Sequence, residues 1–124
     1  MKVLLVEDNP IFRKSFCAML WAEFPGMKIQ QTSSSEEALR MVQDQIPDLV
    51  FLDIQLPEEN GLDLAKRIKK AQPSCRIVIL TSYDLPEYKE AAFRSGADCF
   101  LCKDKAGPGE IHHLILALCA GVGP

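Results

Sequence analysis

Five short strand-like runs along the chain each give way to a segment of helical periodicity, and this alternation constrains the fold more than any other feature. The clearest run, Asp48-Leu-Val-Phe-Leu-Asp53, is apolar at both phases of a two-residue period, the pattern of a strand covered on both faces. The breakers Pro57 and Gly61 follow it. Lys2 to Val6 opens the chain as a shorter apolar run. Asn9-Pro10 then offers an N-cap and a first-turn proline to a helix carrying Ile11, Phe12, Phe16, Met19, Leu20 and Trp21, which Pro25-Gly26 stops. Lys28 to Thr32 reads as a second strand. The serines of Ser33-Ser-Ser-Glu-Glu37 cap a helix bearing Ala38, Leu39, Met41 and Val42. After the third strand, Asn60-Gly61 leads into Leu62, Leu64, Ala65 and Ile68 on a helix ended near Pro73. Arg76 to Thr81 is a fourth buried run, and Pro86 sets up a helix with Tyr88, Ala91, Ala92 and Phe93. Asp98 to Cys102 closes on Lys103, and Glu110 to Ala120 places Ile111, Leu114, Ile115 and Leu118 on one helical side.

Such an order predicts one α/β domain over residues 1–120, a parallel sheet with right-handed crossovers and helices on both faces. Residues 121–124 read as the start of a linker or tail. The 124 residues suffice for one domain with a real core, and 48% hydrophobic with 25% charged residues is an ordinary globular balance. Fourteen basic against seventeen acidic side chains give a formal charge of −3 without a clustered basic stripe, which argues against direct nucleic-acid binding. The opening apolar run is too short for the core of a signal peptide and no stretch is long enough to span a bilayer, so a cytoplasmic protein without membrane contact is expected.

Five irregularly spaced cysteines argue against a disulfide framework. Cys99 and Cys102 have the spacing of a redox or zinc motif, but on a strand they point to opposite faces roughly 10 Å apart. All five are expected to be reduced, with Cys75 and Cys119 exposed to adventitious oxidation.

In a parallel sheet the residues that follow each strand share one edge, where ligands of open α/β folds bind. Here that edge collects Glu7 and Asp8, Asp53, Thr81 and Ser82, and Lys103. Three carboxylates brought close together repel unless one keeps its proton or a cation sits between them. With no histidine or cysteine on the rim beside them, the oxygen-rich set suits Mg²⁺ or Mn²⁺ better than zinc. A nearby lysine and threonine hydroxyl complete a site able to add a phosphoryl group to a carboxylate: Asp53 attacks phosphorus while the metal and Lys103 offset charge on its oxygens.

These residues carry a family resemblance. The acidic pair Glu7-Asp8, Asp53 with Pro57 and Gly61, Thr81-Ser82, Gly96-Ala97, and Phe100 three residues before Lys103 resemble the receiver domains of two-component response regulators over nearly the whole chain. The resemblance implies a flavodoxin-like (βα)5 fold with a five-stranded sheet in order 2-1-3-4-5. It implies a phosphoacceptor, assisting its own phosphorylation and dephosphorylation rather than acting as an enzyme, in which Asp53 takes a phosphoryl group from a sensor histidine kinase. Asp8, Asp53 and the backbone carbonyl of Gln55 would hold Mg²⁺, with Glu7 acting through water. Lys103 would pair with the phosphoryl group, Thr81 would turn to hydrogen-bond it, and Phe100 would move inward. The surface of the fourth helix, fifth strand and fifth helix would then change, where partners dock; a homodimer would use that face or the first and fifth helices. Gln55 and Tyr83 would flank the path of a hydrolytic water and tune the lifetime of the phosphorylated state. Asp104 rather than proline follows Lys103, which is similar to the receivers of regulators with LuxR-type helix-turn-helix outputs and implies the regulatory part of a transcription factor.

Three other readings have distinct signatures. A phosphatase of the haloacid dehalogenase type also uses an aspartyl nucleophile with Mg²⁺, but Gln55 stands where its second acid is needed. A flavin-binding module needs a phosphate-cradling loop after the first strand, where Glu7-Asp8 would repel phosphate. A stand-alone receiver would act by protein binding alone. His112 and His113 are adjacent on a helix, face about 100° apart, and carry no assigned role.

Overall fold

The computed structural model describes residues 1–119. Its elements alternate as read from the sequence: β1 (Lys2–Val6), α1 (Pro10–Glu23), β2 (Lys28–Thr32), α2 (Ser35–Asp44), β3 (Leu49–Asp53), α3 (Gly61–Ala71), β4 (Arg76–Thr81), α4 (Pro86–Arg94), β5 (Cys99–Cys102) and α5 (Pro108–Cys119), with a 3₁₀ turn at Lys103–Lys105. All strand pairs are parallel and the sheet order is β2-β1-β3-β4-β5. The domain boundary expected after residue 120, and the tail at 121–124, lie outside the described residues.

Alternation along the central strand divides the core in two. Leu49 and Phe51 of β3 face a cluster with Phe16, Leu20, Ile111 and Ile115, while Val50 and Leu52 face one with Val42, Leu64, Ile68 and Ile79. Every residue of β3 is buried, which is why its sequence shows no polar phase. Burying these branched side chains contributes about 1.5 to 3 kcal/mol apiece. The expected caps close the helices: the Asn9 side chain accepts from the N–H of Ile11 and Phe12, Ser34 from Glu37, and Asn60 from Leu62.

Several local expectations fail for identifiable reasons. Ile11 is 80% exposed and Trp21 44%, because the face of α1 that meets the sheet is narrower than its apolar content suggests. Cys75, expected at the surface, is fully buried, and its thiol donates to the carbonyl of Pro47 at 3.3 Å. Burial raises the Cys75, Cys17 and Cys99 thiols, Cys17 to about 11, so these three resist oxidation; Cys119 alone of the five is exposed. Asp48 and Asp98 lie just outside their strands and brace them: Asp48 accepts from the Lys2 N–H and Asp98 from that of Ile77, both at 2.8 Å. The last helix begins at Pro108 rather than Glu110. No cis peptide occurs among the described residues, so the Lys103–Asp104 bond is trans. Nor is any described helix long and apolar enough to cross a membrane.

Candidate functional site

Strand ends bring Glu7, Asp53, Thr81 and Lys103 to one edge of the sheet, and two of these carboxylates meet around the lysine. Lys103 Nζ lies 3.3 Å from Asp53 Oδ2 and 2.5 Å from Glu7 Oε1, with only 13% of its side chain exposed. Glu7 is completely buried: its Oε2 accepts the Asn9 N–H at 3.2 Å, and Arg13 Nη1 donates to its backbone carbonyl at 2.7 Å. Oε1 has charge neutralisation from the lysine but no hydrogen bond of acceptable direction, which leaves a buried carboxylate oxygen unsatisfied.

Asp53 is pushed up to about 6, first by burial and then by a carboxyl-to-carboxyl hydrogen bond with Glu7 and the Glu7 charge, against the pull of Lys103 and the Gln55 N–H. Asp53 therefore keeps its proton only below about pH 6 and is largely ionised beside Glu7 and the ammonium at neutrality. Asp8 does not join them. It is exposed on the loop beyond Glu7, and no three His, Cys, Asp or Glu side chains are gathered closely enough to hold a metal ion among the described residues. Where the sequence suggests three close acids, the structure has Glu7 and Asp53 meeting on the lysine, with Asp8 exposed beyond them.

Thr81 is buried, and its hydroxyl oxygen accepts the Tyr83 N–H at 3.1 Å. Gln55 Nε2 donates to the Tyr83 hydroxyl at 2.8 Å, and the Tyr83 ring stacks on Tyr88 of α4 at 5.3 Å. That contact ties the loop after β3 to the loop after β4 across the mouth of the site. A second tie joins Asp84 to Lys105 at 2.8 Å on the exposed rim. Phe100, half-buried on β5, packs against the core cluster on the α4 side of the sheet. Gly61 completes the loop: its N–H donates to Ile54, and a Cβ there would lie 1.9 Å from the Asp53 carbonyl oxygen.

Sequence reasoning missed the roles of Phe12 and Arg13. Both lie one turn into the helix that starts at the site's edge, a position legible from Asn9-Pro10, but an aromatic at helical spacing reads as core. The Phe12 ring sits under the Lys103 ammonium, 4.8 Å from centroid to Nζ.

The sequence profile described as response regulator receiver domain matches residues 3–116. The chain belongs to that family. A two-component response regulator of the LuxR family from Aurantimonas sp. superposes with a TM-score of 0.88 at 28% identity, over 98% of this chain and 86% of that one. A Burkholderia pseudomallei response regulator, whose crystal structure holds a phosphorylated aspartic acid, a calcium ion and citrate, matches with a TM-score of 0.79 at 26% identity, over 96% and 72% of the two chains. The transcriptional activator protein ExaE of Pseudomonas putida is 31% identical over 121 residues, 98% of this chain and 56% of that protein. This receiver domain spans from 14% to 56% of the length of the curated relatives it matches.

Proposed function

We propose that Asp53 is the phosphoacceptor of this receiver domain and takes its phosphoryl group from the phosphohistidine of a sensor histidine kinase in the cytoplasm. The observation that carries the reading is the Lys103 ammonium held between Asp53 and Glu7 at the carboxyl edge of the sheet. In its ionised form the Asp53 carboxylate attacks phosphorus; the new O–P bond forms as the P–N bond breaks and imidazole leaves with its electron pair. Lys103 shifts from the carboxylates to the phosphoryl oxygens. Thr81 gives up its contact with the Tyr83 N–H to donate its hydroxyl proton to the same group, and Phe100 moves into the space vacated.

An unsatisfied buried oxygen on Glu7 and a protonation-prone Asp53 fit a site that takes a hard cation. Asp53, Asp8 and the Gln55 carbonyl would hold Mg²⁺, or Mn²⁺, with Glu7 acting through water; the cation would offset charge on the transferred phosphoryl group. The phosphorylated aspartic acid and calcium ion of the Burkholderia regulator support both assignments. Native-state binding raises stability by mass action, so millimolar Mg²⁺ is expected to raise the Tm of the wild-type protein by a few degrees and that of Asp8→Asn by less. Equal shifts in the two proteins would remove Asp8 from the site.

Several relatives, ExaE among them, are named as transcriptional regulators, and we infer that this domain controls a DNA-binding output. Phe93 of α4 and the neighbouring Leu85 are large exposed apolar side chains that support docking of a partner or a second copy beside α4, whereas the exposed Leu116 of α5 lies by the end of α1. A dimer through α1 and α5 is the other arrangement. The direct test of phosphoacceptance is Mg²⁺-dependent uptake from acetyl phosphate: one phosphoryl group per chain is expected, and slow enough hydrolysis to observe it separates a receiver from a phosphatase. Uptake that ignores Mg²⁺, or turnover without an adduct, would sink the proposal.

Lifetime should depend on Tyr83. Its bond to Gln55 and its stack on Tyr88 hold the ring beside the loop that follows Asp53; a ring there would obstruct the hydrolytic water, so Tyr83→Ala should speed loss of the phosphoryl group severalfold after donor removal. A decay curve identical to that of the wild type would contradict this.

A further inference from the structure

We propose that Phe12 is a positioning residue for Lys103, its ring face holding the ammonium at the point from which it serves the phosphoryl group. The inference rests on the reading that Asp53 is phosphorylated with Lys103 as its partner. Nζ has three neighbours: Glu7 at 2.5 Å, Asp53 at 3.3 Å and the Phe12 ring centroid at 4.8 Å. Each constrains the ammonium from a different element. A lysine stem has many rotamers, and the carboxylates alone would let it follow whichever acid is ionised. The ring attracts the charge through its quadrupole without binding it in one direction, so the ammonium can move toward phosphoryl oxygens while keeping this neighbour.

The ring itself is braced. It stacks on Phe16 at 5.4 Å with 18° between planes, and Phe16 meets Phe51 of β3 edge-on at 5.0 Å. Phe51 is two residues before Asp53 on the same strand, so the aromatic ladder and the acceptor share one rigid base. The Asn9 cap and the Arg13 bond to the Glu7 carbonyl anchor the first turns of α1 beside Glu7.

The test compares Phe12→Leu, which keeps apolar bulk but removes the ring, with Phe12→Tyr, which keeps the ring. In proton NMR spectra of the unphosphorylated protein, the Lys103 methylene protons next to Nζ should be shifted upfield by the ring. Leucine should abolish that shift, and tyrosine should retain it. The rate of uptake from acetyl phosphate should fall about three- to tenfold in Phe12→Leu and return to within about twofold of wild type in Phe12→Tyr. Lys103 shifts that survive in Phe12→Leu, or a tyrosine variant as slow as the leucine one, would overturn the proposal. If the shifts behave as expected but the wild-type protein accepts no phosphoryl group, the placement of Lys103 stands and the phosphoacceptor reading fails.

Discussion

Gly61→Ala is expected to destabilise the domain by about 4 kcal/mol, lowering Tm by on the order of 15 °C. The glycine is needed for space and not for its backbone angles, since Gly96 is the only described residue with positive φ. A methyl at position 61 would stand 1.9 Å from the Asp53 carbonyl oxygen and 2.8 Å from both the Asp53 carbonyl carbon and the Ile54 Cα. These obstacles are backbone atoms at the end of a fully buried strand, where no rotamer change gives relief. Typical overpacking costs 1–3 kcal/mol because side chains adjust; here β3 or α3 must move as a whole. The 2.6 Å bond from the Gly61 N–H to the Ile54 carbonyl would open with that movement. Urea denaturation and thermal melting measure the effect. A variant within about 1 kcal/mol of wild type would mean that the loop yields easily and does not hold Asp53 in place.

The second large effect has two opposite parts. Asp53→Asn is expected to abolish phosphoryl uptake and, without divalent cation, to make the protein more stable above neutrality. Asp53 is raised from the ordinary carboxylate range to about 6, so its charged form is disfavoured by folding. Below about pH 3 both the native and the unfolded carboxyl are protonated and no penalty exists. As pH rises toward 6 the unfolded chain loses its proton first, and stability falls; above that interval the penalty is complete. It amounts to about 3 kcal/mol, and asparagine removes it without changing the side chain's shape. The difference in stability between variant and wild type should therefore grow between about pH 3 and pH 7. A variant that is less stable than wild type at pH 8 would show that the ionised Asp53 is a net stabiliser.

Much of this architecture was legible because the forces responsible are local or periodic. The two-sided burial of β3 is visible in Leu49 to Leu52, helix starts in Asn9, Ser34 and Asn60, and the sharing of one edge by Glu7, Asp53, Thr81 and Lys103 follows from parallel pairing. What failed depended on which neighbour covers a given residue. Apolar spacing marks Ile11 and Trp21 as helix-face residues but not how wide a stripe the sheet covers, and nothing in Ser74-Cys75-Arg76 tells that Pro47 roofs the thiol. Phe12 shows the same blindness in a functional setting: its spacing is that of core packing, and only the path of the Lys103 side chain from the far end of the chain reveals the contact. Asp8 follows β1 and is exposed, and its distance from Asp53 is set by the loop's path, which residue spacing does not give.

Locating the phosphoryl group tests the central claim most directly. Wild-type protein treated with acetyl phosphate and Mg²⁺, reduced with borohydride to convert an aspartyl phosphate to homoserine, and mapped by peptide mass spectrometry should carry the modification at Asp53 alone. Homoserine at any other acid, or an unmodified peptide spanning Asp53 from a protein that has taken up phosphate, would contradict the assignment.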